Sequence, residues 1–478
     1  MKKINSKIEI LTQNEIEQIH HGTLEVLETV GVRLPQSKVL DMLEARGATV
    51  DQETGIAKLP KALVNQALQE TRPTEDKKAL PPYHGLNYRV GPGNQANIVD
   101  YKATFRRQGT TEDVIKGLVL CNELPYIGSA MPLVTPADVP GYMGDLYGYF
   151  LCTLYSKKPY RVYICSPESA KQIIRMWEIV REEPSRTDFG PHVSYLLEPN
   201  GSLSFDRYSL EMAKIFAEAG HNIHVAPMAM TGLDAPVTLA GTMLMQNAYN
   251  LAGIVFTWLI KGTGDWSGAA HSVDMRSMLC SFGSPNQVLI GLAAIQLGRF
   301  YGYEIGVNSG LTDACVPDFQ SGFEKGMTGM VALLAGAAGI GAQGIVGADQ
   351  GTSFEQLVID NEWASAFSHI FELGVDVNEE TLGVDVIKKV GVGGSYIAEE
   401  HTVMHARDTY WKSDLFNQAS WEAWMAKGGK DVHQMAHEKV EKILAAHYPP
   451  DVLIRPETVE KIEGIIQDAK DHPERFEE

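Results

Sequence analysis

Aromatic side chains are the residues of this sequence best suited to an unusual binding task. Tyr101, Phe105, Tyr142, Tyr147, Tyr149, Trp258, Trp266, Phe319, Phe323 and Phe354 fall near the expected rim of the fold. A quaternary ammonium is a permanent cation with no proton to donate. Proteins hold such a group against ring faces, at about 0.5–2 kcal/mol per ring. Any one of these rings serves equally well in a core or an interface. Trp258 and Phe354 stand apart, because one ends a predicted strand and the other opens a predicted helix. The last third of the chain adds polar residues at high density. NSGLTDACVPDFQSGFEKG carries Asp313, Asp318, Gln320 and Glu324, and GADQGTSFEQLVIDNEW carries Asp349, Gln350, Glu355 and Glu362. Asp318 and Ser353 each precede an apolar-periodic run and read as helix N-caps. Asp313 and Gln350 have no such duty and stand as catalytic candidates.

Other chemistries lack their motifs. Gly339-Ile-Gly341-Ala-Gln-Gly344 matches GxGxxG, but it follows a predicted helix and precedes a strand. A dinucleotide site needs the reverse order, so the glycines read as a tightly packed helix end. The five cysteines form no CxxC pair and there is no HExxH, so no metal is expected. His401 and His405 are one helical turn apart in HTVMH, and capping or hydrogen bonding explains them better than a metal. No serine sits in a GxSxG elbow.

Alternating elements must position these residues. From Thr110 onward, predicted strands fall at Tyr126–Leu133, Arg161–Cys165, His192–Leu197, Ile223–Met228, Ile254–Leu259, Ile305–Asn308 and Gly344–Val346. Helices fall at Pro167–Arg181, Tyr208–Ala219, Val237–Leu251, Asn286–Tyr301 and Gln320–Ala335. An eighth strand is sought in the Gly-Pro-Gly hairpin region before Thr110 or near Gly394–Ile397. This rhythm predicts an α/β fold, a (β/α)8 TIM barrel, with chemistry at the carboxyl ends of its strands. Residues 1–110 form a cap of helices and a β-hairpin, 111–416 the barrel, and 417–478 a helical extension.

Composition sets outer limits. The chain has 478 residues and a formal charge of −19, which argues against nucleic acid and anionic membrane partners. The amino terminus turns polar where a signal peptide needs an apolar stretch. No apolar run reaches the ~18 residues of a membrane span. Reduced, scattered cysteines complete the expectation of a cytoplasmic protein. A homo-oligomer is the default expectation for a bacterial-type enzyme of this size.

Several long motifs resemble the trimethylamine methyltransferase family: MAMTGLDAPVTLAGTMLMQNAYNLAGIV, NSGLTDACVPDFQSGFEKGMTGMVALLAGAAGI, and SFEQLVIDNEW followed by EEHTVMHARD. The resemblance runs from about residue 10 to the end. It implies a barrel enzyme that passes a methyl group to the corrinoid (cobalamin) of a small partner protein. Archaeal members of that branch carry pyrrolysine, whereas this chain reads through in standard residues, with 308–316 the guessed site of its replacement. That departure points to betaines, glycine betaine foremost, with proline betaine, carnitine or γ-butyrobetaine as alternatives. A protein that binds a quaternary amine without catalysis is the reading from another class. A betaine needs an aromatic cradle and donors for its carboxylate. Trp258 and Phe354 are expected to form the cradle, with Tyr101 and Phe105 closing over the mouth. His224, Arg106 and His401 are the carboxylate candidates, while Asp313 and Gln350 orient polar groups. His224 serves equally as a satisfied core histidine. The turn KGTGDWSG is a further departure from the family, and its Trp266 either shapes a pocket or lies exposed.

Overall fold

The computed structural model describes residues 8–73, 91–102, 104–189 and 193–476. It is a mixed α/β protein in which helices cover short strand segments. The segments 91–95, 130–134, 160–165, 194–197, 222–231, 268–272, 305–309 and 339–343 lie side by side. Parallel pairing joins Ser194–Leu197 to Asn222–Val225, and Gly306–Val307 to Gly339–Ile340. Single parallel bridges join Gln95 to Val134, Ala130 to Tyr160, Met230 to His271, and Gly268 to Val307. Pro92 bridges Gln343 and so joins the last segment to the first. Between 160–165 and 194–197 no bridge occurs among the described residues, and a cavity of about 720 Å³ opens at this seam.

The helices begin where short polar side chains satisfy the free N–H groups of the first turn. Thr110 caps α4 (Thr111–Glu123), Ser166 caps α6 (Pro167–Val180) and Asp206 caps α7 (Arg207–Glu218). Thr238 caps α8 (Leu239–Lys261), Ser284 caps α9 (Pro285–Phe300), Asp318 caps α10 (Phe319–Leu334) and Ser353 caps α11 (Phe354–Leu373). α8 ends at Gly262, whose φ of +72° favours glycine. Small residues let the layers close. A Cβ on Gly253 of α8 would meet Val225 at 2.4 Å, so Val225 of the neighbouring strand faces the helix layer.

Two sequence expectations are corrected here. Ile254–Leu259 is the last part of α8, not a strand; its unbroken apolar run reflects a helix buried on nearly every side. The sixth segment is instead 268–272, whose small and polar residues hid it. Gly344–Val346 is only partly a strand, because Ile345–Val346 turns back on Gly351–Thr352 in a hairpin. The eighth segment lies at 91–95, while Gly394–Ile397 carries no strand.

Around the segments, α1 (Gln13–Thr29) and α3 (Lys61–Thr71) pack on α8. Farther along, α16 (Val432–His447) packs on α11 and α4. A buried ion pair ties two of the helices together. Lys325 Nζ of α10 lies 3.0 Å from Asp360 Oδ2 of α11. The same carboxylate also accepts from Gln356, Trp363 and the Gly344 amide, so its lone pairs are satisfied.

Candidate functional site

Alternation along the strands decides which side chains face the interior. Ile223 and Val225 point to the helices, so Asn222 and His224 point the other way. His224 pairs with Leu196 in register, and Glu198 lies two residues further along the same face, about 7 Å nearer the carboxyl end. Across the seam, Arg161, Tyr163 and Cys165 alternate with the less exposed Val162 and Ile164.

These side chains act on one another electrostatically. His224 Nδ1 lies 2.8 Å from Asp265 Oδ2, and that hydrogen bond holds its pKa above the usual value. Desolvation and the Arg161 charge oppose the shift, which places Arg161 before the same space. The Tyr163 phenol is pushed up by burial, and both Glu198 and Asp349 add to the effect. Burial alone raises Glu198 to about 7, and its carboxyl has no hydrogen-bond or ion-pair partner among the described residues. Burial likewise raises Asp349 to about 6, against a hydrogen bond donated by Gln95 Nε2. Tyr163 is 47% exposed, yet its phenol is shifted as a desolvated group is. A side chain lining a concave, water-accessible space satisfies both observations. The interior thus has a lower tier with Arg161 and His224, and an upper tier with Tyr163, Glu198 and Asp349.

Backbone strain marks the upper tier. Gly347, Ala348 and Asp349 all have positive φ, at 66°, 51° and 70°. For Ala348 and Asp349 this costs on the order of 1 kcal/mol each and persists only where the surroundings enforce it. The enforcement is visible: the Gly347 and Ala348 amides donate to Ala314 O and Thr312 O. Asp313 belongs to the same bracing. It accepts from Ser281 Oγ at 3.0 Å and from the Phe282 and Gly283 amides, while its own amide donates to buried Glu324. Burial raises the Cys280 thiol to about 11, and the Asp349 and Asp313 carboxylates add to the shift from the same corner.

The other sequence candidates are dispersed. Gln350 is held at the rim by Arg106, whose Nη1 donates to its backbone oxygen and to Oε1, both at 2.9 Å. Phe354 opens α11 as expected and packs partly buried against the core. Tyr101 stacks on His437 at 3.8 Å, and Phe105 is 73% exposed. Trp258 ends a helix rather than a strand: it occupies the last turn of α8, where its Nε1 donates to Glu70 and the Arg46 guanidinium covers its ring. That places its indole beside residues of the amino-terminal 70. His401 lies on the exposed helix α14 (Glu400–Thr409), next to the Glu380 carbonyl. Trp266 is not exposed; it is buried, with Nε1 donating to Asn247.

Arg161, Tyr163, Glu198 and Asp265 were missed by sequence reasoning. Arg161 and Tyr163 stood at alternate positions of a predicted strand, and Glu198 followed the next one directly. Those places were the available signal. Asp265 had a weaker one, its position in the unusual turn KGTGDWSG. Among the described residues, no group of three or more His, Cys, Asp or Glu side chains is arranged to hold a metal ion. No helix is long and apolar enough to cross a membrane among those residues.

Comparison with known proteins supplies the chemistry. A family model described as trimethylamine methyltransferase matches residues 1–471. A trimethylamine methyltransferase of Methanosarcina thermophila is 31% identical over 460 residues, covering 92% of this chain and 94% of the relative. One from Desulfitobacterium hafniense is 29% identical over 469 residues, 96% of this chain and 94% of its own. A glycine betaine methyltransferase of Desulfitobacterium hafniense is 28% identical over 477 residues, 98% of each chain. The crystal structure of Methanosarcina barkeri monomethylamine methyltransferase aligns at a TM-score of 0.49 and 12% identity, over 91% of this chain and 95% of its own.

Proposed function

The chain belongs to the trimethylamine methyltransferase family, and on that premise we propose that it demethylates a quaternary amine bearing a carboxylate, glycine betaine foremost. The eight segments read as a closed (β/α)8 barrel, supported by the parallel pairing that joins seven of their eight neighbouring pairs. Its interior is the site. The observation that carries the reading is the tiering of charge, with Arg161 and His224 below Tyr163 and Glu198. A zwitterion fits it with the carboxylate down and the ammonium up, toward the carboxyl ends of the strands.

The methyl acceptor is the reduced corrinoid of a partner protein, which supplies the nucleophile. The methyl carbon leaves its nitrogen, the C–N electron pair stays on nitrogen, and a neutral tertiary amine results. This chain's residues bind and aim. The Asp265 carboxylate favours the protonated form of His224, and His224 with Arg161 donates to the substrate carboxylate. The Tyr163 ring presents a π face to the ammonium. A fully ionised carboxylate beside the nitrogen would favour the cationic substrate over a transition state that is losing that charge. Glu198, poised near 7, softens that penalty. The walls hold the methyl at the mouth and exclude water.

The test mixes the protein with a reduced corrinoid protein and each of glycine betaine, carnitine and trimethylamine, and follows the cobalt spectrum. Methylation with a betaine and not with trimethylamine is expected. Methylation with trimethylamine alone overturns the reading.

A further inference from the structure

Two neighbouring strands carry glycine where a barrel ordinarily carries bulk. Gly306 and Gly339 pair directly with one another. The residues next to them face the helices: a Cβ on Gly298 of α9 would meet Ile305 at 3.0 Å, and one on Gly329 of α10 would meet Ile340 at 3.2 Å. Alternation therefore turns Gly306 and Gly339 toward the interior, with Gly341 on the same side. In a (β/α)8 barrel such positions are filled by layers of side chains, branched ones foremost.

Packing does not call for glycine at these two places. A Cβ on Gly339 would meet no atom within 4 Å, and the nearest atom to one on Gly306 would be the Gly339 oxygen, in ordinary contact at 3.4 Å. Neither residue has a positive φ. Gly341, by contrast, is covered by Leu311, which its Cβ would meet at 3.2 Å. Glycine weakens a strand, and where neither a bend nor a close backbone approach needs it, it leaves room for a ligand. Gly306 is exposed even though its strand has a partner on each side, at 268 and at 339.

That room adjoins the charged tiers. In the closed barrel the segment of Gly306 is the fourth neighbour of 160–165 in either direction, so it stands across the interior from Arg161. The Arg161 side chain reaches over toward the same wall. A Cβ on Gly91 would lie 3.8 Å from its Nη2, and the segment of Gly91 is joined to that of Gly339 by the bridge between Pro92 and Gln343.

We propose that Gly306 and Gly339 set the size of the substrate, clearing the wall opposite Arg161 so that betaines with a ring or a longer chain fit as well as glycine betaine. The inference rests on the reading of the interior as a betaine site. Glycine betaine reaches both tiers without that room, and a bulkier body turns into it.

The experiment titrates the full chain with glycine betaine, proline betaine and carnitine by calorimetry, for the native protein and for Gly339→Val and Gly306→Ala. Both substitutions point into open space and replace glycine by a residue better suited to a strand, so an undiminished Tm is expected. The native protein is expected to bind all three. In Gly339→Val the Kd of each bulkier betaine relative to that of glycine betaine should rise roughly tenfold or more, with a smaller rise in the same direction in Gly306→Ala. Unchanged ratios, or a native protein that binds glycine betaine and neither bulkier ligand, overturn the proposal and leave the betaine reading standing. A native protein that binds none of the three overturns both. Should Gly339→Val fail to fold, Gly306→Ala decides by the same ratio.

Discussion

Replacing Glu198 by Gln is expected to stabilise the protein while weakening its hold on a cation. The carboxyl has an ordinary value of 4.5 and is raised to about 7 by burial. A carboxyl whose folded pKa is raised favours the fold while it is neutral, below the unfolded value, and loses that contribution as pH rises through the folded value. Above pH 7, therefore, the ionised group costs stability, and the neutral amide does not. The displacement corresponds to about 3 kcal/mol at most. Glu198 is only partly buried, and water reaching the cavity reduces the cost to about 1–2 kcal/mol. In a chain of this size that is a rise in Tm of about 1–2 °C. Thermal unfolding followed by fluorescence at pH 8 and at pH 4.5 reads it, with the gain present at the first and absent at the second. Calorimetric titration with glycine betaine at pH 8 reads the second half, with affinity lowered several-fold. An unchanged or lower Tm at pH 8, or an unchanged affinity, refutes the argument that this carboxyl is desolvated in a cation-binding cavity.

Three further outcomes follow from the same structure. His224→Ala removes one charge-assisted donor and should weaken glycine betaine by about 2 kcal/mol, roughly 30-fold, while leaving tetramethylammonium almost unaffected; equal losses for the two ligands in titration would remove His224 from the carboxylate site. Trp258→Ala should lower thermal stability by about 1–3 kcal/mol through lost packing against the cap and leave the Kd for glycine betaine unchanged, so a weaker Kd at unchanged stability would restore it to the cradle. Lys325→Met strands Asp360 as a buried, uncompensated charge and should cost about 3–5 kcal/mol in denaturant unfolding; a loss below about 1 kcal/mol would show that water already reaches the pair.

Much of this fold was readable, because its helices announce themselves. Ser166 followed by Pro167, and Asp318 and Ser353 before apolar runs, are start signals with a local cause, and each caps the helix it was assigned. The strands were harder, since segments of two to four paired residues leave little periodicity to detect. The run Ile254–Leu259 misled for a physical reason: a helix buried on most sides loses its amphipathic period and imitates a buried strand. That error carried Trp258 with it. The site was half legible. His224 was found from its residue type, but its partner Asp265 lies 41 positions away in a turn whose only signal was oddness. Glu198 was passed over because nothing in a sequence reveals that a lone carboxylate lacks a partner.

The central claim is that a zwitterion sits in the interior with its charges on two tiers. A crystal structure of the protein with glycine betaine tests it most directly. The account predicts the carboxylate within hydrogen-bond reach of Arg161 and His224, and the trimethylammonium against Tyr163 on the Glu198 side. A ligand bound elsewhere, or one turned with its ammonium toward Arg161, would contradict it.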